Sequence, residues 1–163
     1  MNSTYHFSDK NLTIKANIDL DRIEGNIQKA QFALDSQVMT DMVPYMPMQA
    51  GGGGFIGETR RLSADLAGTG IVVAAAPPMG RYLYMGKVMV DSETGKGPAR
   101  IPVGPNEYIF RFRKGAKLVA TERDLQFSKA ANPKVTKQWF DAAKRDHGRD
   151  WVKLAKRTAG GRA

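Results

Sequence analysis

A chain of 163 residues with an apolar share of 42% and a charged share of 25% is long enough for one domain with a real core, which excludes a wholly disordered polypeptide. No run approaches the roughly 20 apolar residues of a membrane span. The opening MNSTYHFSDK has no signal-peptide core, and a sequence without cysteine has no disulfide, thiol nucleophile or Cys-based zinc site. The formal net charge of +9 is uneven. Residues 1–43 carry four Lys/Arg against six Asp/Glu, 44–133 twelve against seven, and 134–163 nine against three. The basic excess therefore lies in the middle and C-terminal parts, where it suits nucleic acid or an acidic protein surface.

Residues 1–11 are polar and are expected to form a flexible N-terminus. Leu12, Ile14, Ala16, Ile18 and Leu20 then alternate with polar residues, the period of a half-buried strand. Asp21 and Glu24 read as a capping pair that opens a helix over about 21–42. Ile23, Ile27, Ala30, Leu34, Val38 and Met42 form its one apolar face, and Pro44 stops it. The following YMPMQAGGGGFIG contains four consecutive glycines and predicts a flexible loop over 49–57. Glu58–Leu66 alternates and Ile71–Ala75 is apolar, so with the turn Ala67–Gly70 they predict a hairpin. Arg81–Lys87 reads as a short helix between Gly80 and Gly86.

Residues 91–106 hold three glycines and three prolines and predict a long exposed loop. Glu107–Arg113 reads as a strand with Tyr108, Phe110 and Phe112 on one face and Ile109, Arg111 and Arg113 on the other. Lys114-Gly115-Ala116 turns the chain, and Lys117–Glu122 returns as a strand. Asn132 as a cap and Pro133 in the first turn predict a long helix over about 133–158. Its wheel gathers Val135, Trp139, Ala143, His147, Trp151 and Leu154 into one arc. The sum is a single α+β domain over 1–163, an antiparallel sheet packed against an N-terminal helix (about 21–42) and a long C-terminal helix (about 133–158).

Chemistry-bearing motifs are few. Gly52-x-Gly54-x-x-Gly57 has the spacing of a dinucleotide fingerprint. That motif needs a strand before it and an acidic residue about 20 residues on, and here a helix and two prolines precede it, so it reads as a loop. Thr94-Gly95-Lys96-Gly97 lacks the earlier glycine and the following Ser/Thr of a phosphate loop. His6 falls in the polar N-terminus and His147 on the apolar edge of the last helix. No catalytic, cofactor-binding or metal residues are singled out. A base-stacking platform needs aromatics and cations on the same exposed face. The alternation in 108–113 puts them on opposite faces, so these aromatics are expected in the core with the arginines solvated. Trp139 and Trp151 are expected as core anchors.

The order ALDSQVMTDMVPYMPM, a Gly loop, ETRRLS, a short apolar stretch, GRYLYMGKVMV and WFDAAKRDHGRDWVKLAKR resembles the minor capsid protein family of tailed bacteriophages and prophages. That family is similar to the neck and tail-completion proteins of long-tailed phages. Asp41, Tyr45, Pro47, Gly51, Leu62 and Ser63 match its first segment. Pro78, Arg81, Tyr84 and Gly86 match the second, and Trp139, Ala143 and Trp151 the third, over about residues 12–158. Gln49-Ala50 with the extra glycines, Pro78-Met79-Gly80, and a longer 91–130 insertion depart from the pattern.

The resemblance implies a non-enzymatic structural component of the virion: a neck, or head–tail connector, subunit forming a homo-oligomeric ring between portal and tail. It would sit at the head–tail junction after assembly in the bacterial host cytoplasm. Its partners would be itself, neighbouring head-completion or connector proteins and tail proteins. DNA would pass through the lumen without specific binding, and there would be no membrane, metal or cofactor. A closed ring needs two different patches per subunit. Candidates are Tyr45, Met48, Phe55 and Ile56, the 91–106 loop, Arg81 and Tyr84, and the basic Lys153, Lys156 and Arg157. The alternative reading is a basic DNA-binding accessory protein of phage origin using 111–117 and the C-terminal cations.

Overall fold

Two long helices bury the largest side chains against each other. Helix α1 spans Leu20–Met42, and helix α4 spans Trp139–Thr158. The computed structural model describes residues 2–9, 12–48, 54–77, 79–105 and 107–160, with only the backbone described for 2–9, 12–19 and 107. The helices run antiparallel, since Asn26 lies beside Gly160 while Asp41 bonds Trp151. Val38, Met39 and Met42 from α1, Tyr45 and Met46 from the turn after it, Ile56, and Trp139, Ala142, Ala143 and Trp151 from α4 make one buried cluster. Trp139 is fully buried. Its ring meets the edges of Phe55 and Tyr84 at centroid distances of 5.9 and 4.9 Å. Its Nε1–H donates to the Ala74 carbonyl at 2.7 Å, which satisfies the one polar atom the ring would otherwise bury unpaired.

Pro44 does end α1, within a single 3-10 turn over Val43–Tyr45. Helix α4 starts later than its sequence suggests. Gln138 takes a left-handed conformation (φ 51°, ψ 47°) and residues 133–138 form turns. Thr136 N–H donates to the Tyr45 carbonyl at 3.1 Å and Gln138 N–H to the Tyr84 carbonyl at 2.8 Å, so this backbone is committed to other segments. Asn132 caps no part of α4. Its side-chain amide donates to the Val43 and Met46 carbonyls and closes the end of α1 instead.

The predicted hairpin over 58–75 is replaced by helix α2, Gly54–Asp65. Ile56, Thr59 and Ser63 are its buried residues, at helical three- and four-residue spacing. The alternation of 58–66 misleads because the inward face is carried by hydroxyls rather than by aliphatic residues. These hydroxyls also explain why Ile71–Ala75 is not a strand. Ala76 N–H donates to Thr59 Oγ1 at 3.1 Å, Val73 N–H donates to Ser63 Oγ at 3.1 Å, and Ser63 Oγ–H is equally placed to donate to the Val73 carbonyl. An extended segment whose polar groups are satisfied by a helix needs no neighbouring strand. Of the glycine loop, 49–53 lie outside the described residues, and 54–57 form the first turn of α2 rather than a loop.

The short helix α3, Gly80–Met85, comes where expected and stops at Gly86, which is left-handed with φ 64°. Gly80 has no alternative: a Cβ there would lie 2.6 Å from the Ala75 backbone.

The class is α+β, with the antiparallel strands distributed over three two-stranded ribbons. Strand β1, Asn2–Asp9, pairs along its whole length with β2, Leu12–Asp19, so the expected loose N-terminus is backbone-paired instead. Strand β3, Lys87–Asp91, pairs with β6, Leu118–Asp124. Between them in sequence, β4, Ala99–Gly104, pairs with β5, Glu107–Arg111. The expected 91–106 loop thus contains the end of β3 and all of β4. The β4–β5 ribbon extends the chain between the two strands of the β3–β6 ribbon. Arg113 fastens the junction, since its Nε–H donates to Asp91 at 3.1 Å and its Nη2 reaches Glu93.

Trp139→Ala is expected to cost about 3–5 kcal/mol, because the cavity would lie where α1, α2, α3 and α4 converge. Denaturant unfolding measures this; an unchanged midpoint would mean the four elements hold together without the ring.

Candidate functional site

Tyr45, Tyr84, Trp139, Ala143 and Trp151, drawn from the three segments of the resemblance, meet in or against the one buried cluster. Asp41 accepts from Trp151 Nε1–H at 2.7 Å. Tyr45, only 4% exposed, donates its hydroxyl proton to Asp146 and meets His147 edge-on at 6.4 Å. Tyr84 donates to Asp141 at 3.2 Å while its ring packs on Trp139. The hydrogen bond to Asp146, with burial, raises the Tyr45 pKa, and the same bond holds Asp146 below the usual carboxylate range. Burial first, and then the Asp141 charge and hydrogen bond, push Tyr84 up to about 12. Asp41, Tyr45 and Tyr84 each tie their segment to α4.

The candidate interface residues differ in how much surface they keep. Tyr45 and Ile56 are buried inside the subunit, and Phe55 and Tyr84 are half-buried against Trp139. Tyr45 and Ile56 therefore have little surface to offer a neighbour, whereas Phe55 and Tyr84 keep part of theirs. Met48, Arg81, Lys153, Lys156 and Arg157 remain on the surface. Lys153 is paired at 3.5 Å with Asp150, an exposed pair worth little.

Two surfaces escaped the sequence reading. The first follows α1. Leu20, Ile23 and Ile27 continue the stripe whose other half, Ala30, Leu34, Val38 and Met42, packs toward α4. Yet they are 40, 43 and 57% exposed. Helix α4 gives out beside Asn26, so the stripe outruns its cover. It leads into a groove of about 700 Å³ between the two helices, floored by Leu34, Val38, Val72 and Phe140 and flanked by Ile71 and Val152. Buried Asp35 shapes one wall by accepting from Gln31 Nε2 and from the N–H groups of Gly68 and Gly70, at 2.7, 2.8 and 3.0 Å. Both turn glycines are left-handed, with φ 91° and 81°.

The second surface is the β4–β5 ribbon. Tyr108 and Phe110 are 37 and 53% exposed, against the expectation that they enter the core. Alternation names the residues that share a face, but among the described residues no other layer covers that face. The register sets Arg100 opposite Phe110 and Pro102 opposite Tyr108. Directly opposed residues point the same way, so β4 supplies a cation to the aromatic face. The Arg100 guanidinium stacks 3.5 Å from the Tyr108 ring centroid. Arg113, by contrast, is occupied with Asp91 and Glu93, and it lowers the Asp91 pKa.

Removing Asp35 is expected to cost about 1–3 kcal/mol by stranding the Gly68 and Gly70 donors. A wild-type denaturation midpoint for Asp35→Ala would show that the 66–70 turn holds itself. For Tyr84, the pKa of about 12 lies above the unfolded value near 10. Its neutral form therefore adds stability that is fully present below pH 10 and is lost as pH rises toward 12. Stability measured across that window should fall less steeply for Tyr84→Phe than for the wild type; equal slopes would remove Tyr84 as the cause.

Among the described residues no group of three or more His, Asp or Glu is placed to hold a metal ion, and no described helix is long and apolar enough to cross a membrane. A helix does open within Gly52–Gly57, at Gly54, but it follows α1 and a 3-10 turn rather than the strand a dinucleotide site requires. No protein-family model, curated protein or solved structure matches the chain.

Proposed function

We propose that this chain is a non-enzymatic structural subunit of a tailed-phage virion, a neck or head–tail connector protein that forms a ring with copies of itself. The observation that carries the reading is the α1 stripe that outruns α4 and runs on into the apolar groove. Leu20, Ile23, Ile27, Ile71 and Val152 lie along it, each at least 40% exposed. A subunit that keeps such a stripe beside a formed groove has surface to bury against a neighbour. The β4–β5 ribbon offers a second apolar element, with Ile101 and Val103 at 39 and 55% exposed. Two different surfaces on one subunit are what a rotationally closing, head-to-tail contact needs.

That residues of all three matched segments meet in or against one buried cluster supports the resemblance, because separated motifs explain one another when they form one core. Lys156 and Arg157, exposed near the end of α4, suit docking on an acidic face of an adjacent ring of head-completion or tail proteins, where charge sets register and on-rate. DNA would cross the lumen.

The test is the mass of the purified protein by light scattering over a concentration series, with electron microscopy of any assembly. Wild type is expected to form closed rings. The double variant Ile27→Asp, Val152→Asp is expected to stay monomeric with its thermal midpoint nearly unchanged, since both side chains are already more than half exposed. Rings that survive both changes, or a wild type monomeric at every concentration, would overturn the reading.

A further inference from the structure

We infer that the β4–β5 ribbon is a binding face for single-stranded nucleic acid, with Arg100, Tyr108 and Phe110 as its contact residues. This goes beyond ring assembly and does not rest on it. The ribbon is an exposed two-stranded element, and every residue of β4 from Ala99 to Val103 is exposed. A lone ribbon in water gains little from showing aromatic rings. Here Tyr108 and Phe110 lie two residues apart on one strand, about 7 Å. That is twice the 3.4 Å step between stacked bases, so the two rings suit alternate bases of a stacked strand or adjacent bases of a stretched one.

Arg100 makes the face a recognition surface rather than an apolar one. The cross-strand register brings it beside both rings, and it stacks on Tyr108 at 3.5 Å. No described carboxylate pairs with it. Its plane extends the π surface, while its N–H edges remain available to a phosphate. Residues 91–117 carry six Lys/Arg against three carboxylates, and two of those carboxylates, Asp91 and Glu93, are engaged by Arg113, so the remaining field around the face favours a polyanion. The occupant is single-stranded because stacking requires open base faces, which a duplex withholds. A purely acidic protein would match the charge and leave the bare Phe110 ring unused.

The test uses the full-length chain and fluorescence anisotropy with a labelled 20-nucleotide single strand, its duplex and a polyglutamate chain, each over a salt series. The single strand is expected to bind best, with log K falling linearly against log salt. Phe110→Leu and Arg100→Ala are each expected to weaken it about 5- to 150-fold, the range of one lost base stack. Phe110→Tyr should retain binding, and Lys153→Ala should change it little. Duplex or polyglutamate bound as tightly as the single strand, or Phe110→Leu binding like wild type, would overturn the inference. Light scattering on the same variants reads oligomeric state separately, so failure to bind and failure to assemble remain distinguishable. Unchanged thermal midpoints would confirm that the exposed substitutions leave the fold intact.

Discussion

The architecture depends on burying one indole completely while keeping its N–H bonded. Trp139 lies at the start of α4, and its only polar atom points at the Ala74 carbonyl. That bond positions the extended segment after α2, and the segment in turn needs Thr59 and Ser63 for its own backbone groups. Phe55 closes the ring from α2 and Tyr84 from α3. One apolar side chain therefore sets the mutual placement of elements that share no sheet. Pairing by strands is replaced by packing around a ring and by hydroxyl-to-backbone bonds, which explains how three separate ribbons coexist with one core.

The same economy produces the exposed surfaces. Helix α1 has a continuous apolar stripe, and α4 covers only its C-terminal part. The uncovered part and the neighbouring groove follow from where α4 ends, not from any local irregularity in α1. The β4–β5 ribbon is held at its root, where Arg113 joins buried Asp91 to exposed Glu93, and its aromatic residues Tyr108 and Phe110 stay exposed. A rigid root with an uncovered tip is how a ribbon presents side chains to a partner without ordering them anew at each encounter. Assembly uses the helical groove and the Ile101 face of the ribbon, whereas contact with a polyanion uses the opposite face of the ribbon, that of Arg100, Tyr108 and Phe110.

Much of this was written locally. Pro44 stops α1 because it has no N–H to give, the stripe from Ile23 to Met42 fixes a helix, Gly86 ends α3 in a conformation that favours glycine, and strict alternation from Leu12 marks β2. Alternation likewise marked 107–113, of which 107–111 is strand, and the strand expected over 117–122 lies at 118–124, but the two pair with β4 and β3 rather than with each other. Trp139 and Trp151 read as anchors because large rings seldom stay in water.

What only the tertiary structure decided are the features that need a second segment. Helix α2 hides behind a strand-like pattern because its inward face is Thr59 and Ser63, whose burial is acceptable only when the 73–76 backbone arrives to bond them. Helix α4 begins at Trp139 rather than Pro133 because Tyr45 and Tyr84 carbonyls claim the N–H groups of Thr136 and Gln138. The stripe of α1 was visible, but its uncovered end was not, since periodicity says which side is apolar and nothing about how far a partner reaches. Likewise, alternation grouped Tyr108 with Phe110, but it could not place Arg100 beside them. That neighbour comes from cross-strand register, which pairs residues ten positions apart, and register is fixed by the ribbon's fold rather than by either strand alone.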